Sequence, residues 1–167
     1  MAVTSSVSMS FASLLTGAAG GLGVASVKHP LDVLLTIASG TGATQCNRVW
    51  TRKDQSLAAS SSETWDLAGA LTDSLGAACV FTALKVIALY AKPANTNNVV
   101  IGADAAHVVI FDAALDSVSI RPGQVFLMTN LTTAGWTVTG TSADLIKIAN
   151  SGAGTPVIYD LALLGIG

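Results

Sequence analysis

The sequence predicts an all-β chain folded as an antiparallel β-sandwich, and three observations carry that prediction. Eight or more short apolar segments recur along the 167 residues, separated by clusters of Gly, Pro, Asn and Ser at the spacing of a sandwich or barrel. Those segments are rich in Val, Ile, Phe and Tyr, which suit a pleated, half-buried surface. Nowhere does the chain alternate strand-like and helix-like periods as a βαβ protein would.

The elements follow in order. Residues 8–16 begin with alternation, which puts Met9, Phe11 and Leu15 on or near one face. A strand over 32–38 ends at Ser39-Gly40-Thr41-Gly42, and another over 48–52 surrounds Val49 and Trp50. Residues 62–67 alternate, with Glu63 and Trp65 on one parity. Residues 77–92 read as one long strand, or two joined by a bulge. Periodicity alone admits a helix there, but the β-branched and aromatic content favours strand. Pro93-Ala94-Asn95-Thr96-Asn97-Asn98 is a turn, since Asn tolerates left-handed backbone and caps turns with its side chain. Strands are predicted over 99–102, 107–111 and 117–120. Pro122-Gly123 then supplies a turn pair, the proline fixing φ and the glycine allowing it to be positive. Strands over 125–128 and 136–139 follow. The clearest unit is last: a strand over 144–148, a Gly- and Ser-rich loop, and a return strand over 156–164. One helical turn is expected at 67–75, closed by Asp73 and Gly76.

Charged residues make up 11% of the chain and hydrophobic ones 51%. A soluble domain usually carries about 25% charged residues. Either small neutral residues cover this surface or a neighbouring subunit does, and the second option predicts assembly. The uncharged stretches are 1–27, 93–103 and 122–143, and these are expected at subunit contacts. The length suits one domain, divided here into an N-terminal strand or arm over 1–30 and a sandwich over 31–167. A net charge of −2 gives no steering toward nucleic acid or anionic lipid. Arg48, Arg52 and Lys53 cluster, but Asp54 follows directly, and a solvated turn accounts for them. Residues 1–27 lack the basic start of a secretory signal, the first basic residue being Lys28. No run reaches the roughly 20 apolar residues of a membrane-spanning helix; the best, 79–91, contains Lys85. Cys46 and Cys79 lie far apart and read as free, buried thiols, with one bridge between them as the alternative.

Several motifs invite chemistry. Thr16-Gly17-Ala18-Ala19-Gly20-Gly21-Leu22-Gly23 has the letters of a dinucleotide-binding loop. Such a loop needs a helix after it and an acidic residue about 20 positions on. Residues 24–33 contain Pro30 and no helical period, and Asp32 comes too early, so a glycine-rich turn is expected and no cofactor. His29 and His107 stand apart from each other and from any Cys or carboxylate at ligand spacing, so no metal site is predicted. No Gly-x-Ser-x-Gly elbow is present, and no catalytic residue is assigned. Asp112 and Asp116 flank Ala113-Ala114-Leu115 in a predicted loop, as a solvated turn or a weak calcium site. Trp50, Trp65 and Trp136 serve as core or interface anchors, with a carbohydrate platform as the alternative. Phe11, Leu14, Leu15, Trp50 and Trp136 are the candidate interface residues.

Taken together, Ala38-Ser39-Gly40-Thr41-Gly42-Ala43, Asp66-Leu67-Ala68-Gly69, residues 83–90 with Asn95-Thr96-Asn97-Asn98-Val99, Arg121-Pro122-Gly123 and Ala149-Asn150-Ser151-Gly152-Ala153-Gly154-Thr155 carry a resemblance. In order and spacing, from about residue 31 onward, they are similar to a family of small structural proteins of tailed-bacteriophage virions. The resemblance implies a β-rich virion component without enzymatic activity. With the strand pattern it leads to a jelly-roll-like sandwich, assembled as a homo-oligomer with a trimer favoured. The expected role is capsid decoration or cement, bound to the major capsid protein or other virion proteins, with no nucleic-acid or membrane partner. The expected location is the virion, assembled in the host cytoplasm. A tail fibre, tip or adaptor module touching the host surface is the alternative. An enzyme, either a sugar-cleaving depolymerase or a dehydrogenase, would need a site that the sequence lacks.

Overall fold

A computed structural model describes residues 5–19, 23–69, 71–113 and 115–167, with backbone alone for Val7, 9–19 and 23–32. Among the described residues there are twelve strands and no helix. A hairpin comes first, β1 (Ser5–Ala19) with β2 (Gly23–Ser39), followed by the short β3 (Gln45–Cys46). Nine strands then build the body. They are β4 (Arg48–Leu57), β5 (Ser62–Asp66), β6 (Ala83–Ala91), β7 (Val99–Gly102), β8 (Ser117–Ile120), β9 (Val125–Thr129), β10 (Trp136–Thr137), β11 (Leu145–Asn150) and β12 (Val157–Ile166).

The body is an antiparallel two-sheet sandwich. One sheet runs β4-β12-β6, with β9 and β10 both paired along the far side of β6. The other runs β5-β11-β7-β8. The chain changes sheet at most of its connections, so neighbours in space are distant in sequence. Between the sheets lie Trp50, Ile87, Leu89, Tyr159, Leu161 and Leu163 from the first and Ile101, Ile120, Ile146 and Ile148 from the second, all buried. β11 shows why these residues form a strand: Ile146, Ile148 and Asn150 point inward and alternate with less buried residues. Asn150 is buried at the strand end with its hydrogen bonds made. Its amide donates to Ala58 O (3.1 Å) and Thr155 O (2.9 Å), and its Oδ1 accepts from Asn97 Nδ2 (3.0 Å).

β6 settles the ambiguity of 77–92. The strand begins only at Ala83, and its first five residues are all buried because both faces are covered there, whereas Ala88 and Tyr90 on the outer face are only partly covered. Ile87 and Leu89 face the core, while Val86 joins a second cluster with Ile37, Cys46 and Leu164. Residues 79–82 instead hydrogen-bond to the ends of other segments, through Cys79 N to Leu71 O and Phe81 N to Leu67 O (both 2.8 Å).

Three expectations need correction. The segment 67–75 is not a helical turn. Aspartates stitch it into tight turns: Asp66 Oδ1 accepts from Ala68 N (3.0 Å), and Asp73 Oδ1 accepts from Leu75 N (2.8 Å) and Ala77 N (2.9 Å). Residues 107–111 form only a single bridge, His107 with Leu145, because Ile110 N turns back onto Val108 O (2.7 Å). The basic cluster Arg48, Arg52 and Lys53 is part of the ten-residue β4 rather than a turn. A bulge lies there, opposite Asp160, and Asp54 takes φ 53° within it.

Candidate interaction surface

The outer face of the β4-β12-β6-β9 sheet is ordered in rows by its pairing. Val49, Leu164, Val86 and Thr129 form one row, Thr51, Ala162, Ala88 and Leu127 the next, and Asp160, Tyr90 and Val125 the third. The first row is covered. Val86 and Leu164 are buried with Ile37 of β2 and Cys46 of β3, so the root of the hairpin rests on the sheet. The turn between them is fastened too. The fully buried Lys85 donates from Nζ to Gly42 O (2.5 Å), Gln45 Oε1 accepts from Gly42 N (2.8 Å), and Thr44 N donates to Leu131 O (2.9 Å). Burial raises the Cys46 thiol pKa, with Lys85 opposing, which keeps it an inert thiol.

The second and third rows are open. They line a shallow groove of about 360 Å³, with Ala88 and Ala162 as the floor and Thr51, Tyr90 and Val125 around it. The floor is low because alanines stand between the large inward residues of Ile87-Ala88-Leu89 and Leu161-Ala162-Leu163. Val125 is 65% exposed and Leu127 40%. One end is closed by charge. Lys92 Nζ meets Asp54 Oδ1 at 2.9 Å and Asp160 Oδ2 at 2.6 Å, and Asp160 Oδ1 accepts from the bulge amide of Asp54 (2.7 Å). Hydrogen bonds to Asp160 and then Asp54 raise the Lys92 pKa. Partial burial pushes Asp160 up, but the Asp54 amide and Lys92 outweigh it and hold that carboxyl low. The groove is therefore mostly apolar, with Lys92, Asp54 and Asp160 paired at one rim and the basic Arg52 and Lys53 in its lining.

The candidate residues fall in different places. Trp50 is fully buried between the sheets, so it anchors the core and presents no face to a neighbour. It packs on Trp65 (4.7 Å between rings), and the Arg52 guanidinium lies 4.6 Å from its ring centre. Beside them the Tyr159 hydroxyl donates to Glu63 Oε1 (2.5 Å) and accepts from Trp65 Nε1 (3.2 Å), tying the two sheets together. Burial, and then Glu63, push the Tyr159 phenol far up. Trp136 is half-buried against the core on β10. Phe11, Leu14 and Leu15 lie in β1, in register with Leu31, Lys28 and Val27 of β2.

The glycine-rich segment joins two paired strands, Ala19 opposite Gly23, and it leads into β2 rather than into a helix N-terminus. Gly20, Gly21 and Leu22 lie outside the described residues. Asp116 Oδ2 accepts from Ala113 N (2.9 Å), so this carboxylate is engaged by its own loop. His107 is buried, with Nδ1 2.6 Å from Val108 O and a ring stacked 6.2 Å from Phe111. Cys46 and Cys79 are both free and buried. Among the described residues no three His, Cys, Asp or Glu come together as a metal would need. The groove escaped the sequence reading, although the alanines at outward parity in β6 and β12 were its signal.

Comparison with protein-family models, with characterised proteins and with solved structures finds no match.

Proposed function

We propose that the chain is a structural protein of a tailed-bacteriophage virion, a decoration or cement protein that binds the outer capsid as a homotrimer and stabilises contacts between major capsid subunits. The observation that supports this best is the strand order. β4-β12-β6-β9 facing β5-β11-β7-β8 reads as the interleaving of a jelly roll, the two-sheet arrangement common in viral capsid proteins and also used by lectins and cupins. The surface favours the virion among those uses. A charge-poor chain with an open apolar groove suits permanent contact with neighbours, since large obligate interfaces are more apolar than ordinary surface. The mechanism is burial of neutral surface across joints of the shell. Quantitative mass spectrometry of particles from the phage encoding this chain tests the role. Hundreds of copies per particle are expected. A handful would move it to the tail, and complete absence from the particles would end the virion reading.

A further inference from the structure

We infer that the loop between β7 and β8, residues 103–116, is an acid-released latch: protonation of His107 frees it from β11 and β9 while the two sheets stay closed, and this uncovers an apolar surface.

The loop is held at a few points. Val108 N donates to Leu145 O (2.9 Å), and Asp144 N and Leu145 N both donate to Ala106 O (3.0 Å each), which makes the single bridge between His107 and Leu145. On its other side the His107 ring stacks on Phe111 at 6.2 Å, and Phe111 meets Phe126 of β9 at 6.1 Å. Lys147 of β11 donates from Nζ to Ala103 O (3.1 Å). The sandwich ladders do not depend on these contacts. β11 is paired with β5 and β7, and β7 with β8, through other residues. A hinge stands where the chain leaves β7: Gly102 and Ala103 are both left-handed, at φ 105° and 59°. That backbone is unfavourable for alanine, so opening relieves strain there.

His107 sits where the contacts meet. It is buried, its Nδ1 lies 2.6 Å from Val108 O, and Nε2 has no partner among the described residues. A neutral ring suits this place, with its one N–H used. A protonated ring adds an N–H without an acceptor and a charge away from water, and both are costly. The surrounding charges are already engaged. Asp104 of the loop attracts the proton, but its Oδ1 accepts from Ala106 N (3.0 Å) and its Oδ2 lies 3.8 Å from Lys147 Nζ. Asp144, just before β11, accepts from Thr141 N through Oδ2 (2.7 Å), and β9 presents the uncharged Phe126. Burial therefore prevails over the Val108 hydrogen bond and Asp104, and it lowers the His107 pKa. In the released loop the ring returns to its ordinary value near 6.5. The released loop thus binds the proton more tightly, and the equilibrium moves toward it as the pH falls below about 6.5.

Release has a defined product. Val108 and Ile110 are buried and Phe111 half-buried, while Val109 and Leu115 are already 46% and 69% exposed. Freed together, they form an apolar loop tip that is displayed in acid and folded away at neutral pH. The latch needs nothing from the virion reading.

Amide exchange of the purified chain, followed by NMR and corrected for the intrinsic rate at each pH, tests it. From about one unit above pH 6.5 to one unit below, protection of the Val108, Asp144 and Leu145 amides should fall by up to about tenfold, the linkage of one proton. At the lower pH these amides should be less protected than those of β12, and small additions of urea should leave their exchange unchanged while speeding exchange in β12, because local opening exposes little surface. The His107 ring of the closed chain should titrate below its ordinary value. His107→Phe and His107→Gln should each leave protection of the three amides level across that pH range. Protection in the wild type that ignores pH, loop amides that share the protection and urea response of β12, a ring that titrates at or above its ordinary value, or a pH dependence that survives both substitutions would each overturn the latch.

Discussion

At the residue scale, His107 couples stability to pH. Its Nδ1–H donates to Val108 O, while Nε2 is buried with no partner among the described residues. Protonation would place a second N–H in that unpaired position, so burial holds the His107 pKa below its ordinary value. Unfolded, the ring titrates near 6.5. Between that pH and the lower folded value the unfolded chain binds more protons, so stability is whole above about 6.5 and falls as the pH drops. Urea midpoints measured between neutral and mildly acidic pH should decline in the wild type and stay level in His107→Phe. An equal decline in both would assign the effect to other groups. From the sequence, this histidine beside Val108-Val109 reads as a satisfied core or interface residue. The structure buries it but leaves one nitrogen unsatisfied, which no neighbour in sequence reveals.

At the element scale, two glycines in left-handed backbone separate strain from crowding. Gly102 ends β7 at φ 105°, and a Cβ there would run into Asp116 O and sit 3.0 Å from Ser117 Cα. Gly154 has φ 95° in the loop before β12, with open space around it. Replacing either by alanine costs left-handed strain of about 1–2 kcal/mol. Only Gly102→Ala adds a backbone collision, so it should lose roughly 2 kcal/mol more in thermal or urea unfolding. Equal losses would mean that the β7–β8 junction yields freely. Strand positions were legible wherever the turn residues were, as at Pro122-Gly123 and in the loop before β12. They were not legible where the fold supplies cover from afar. β6 hid its strand period because Ile37 and Cys46 bury its outer side, and β2 extends past Pro30 because β1 pairs with it throughout. The groove was hard to read for a different reason: its rows join four strands far apart in sequence, and only the alanines at outward parity in β6 and β12 hint at it.

At the scale of the whole molecule, the shortage of charge finds a partial location. The uncharged stretch 122–143 contains β9 with the exposed Val125 and Leu127, and the uncharged stretch 1–27 contains β1. One further consequence comes from β12, the central strand between β4 and β6 and the last of the sandwich to be made. Until residues 157–166 leave the ribosome, neither β4 nor β6 has its main partner, and the apolar residues of both sheets stay uncovered. Long-range pairing of this kind folds slowly and exposes chains to aggregation meanwhile. A nascent chain stalled with residue 150 just outside the exit tunnel should be digested readily by protease, and one stalled past residue 166 should resist. Resistance in the shorter chain would show that the sandwich closes without β12. Closure therefore waits for translation to pass that strand.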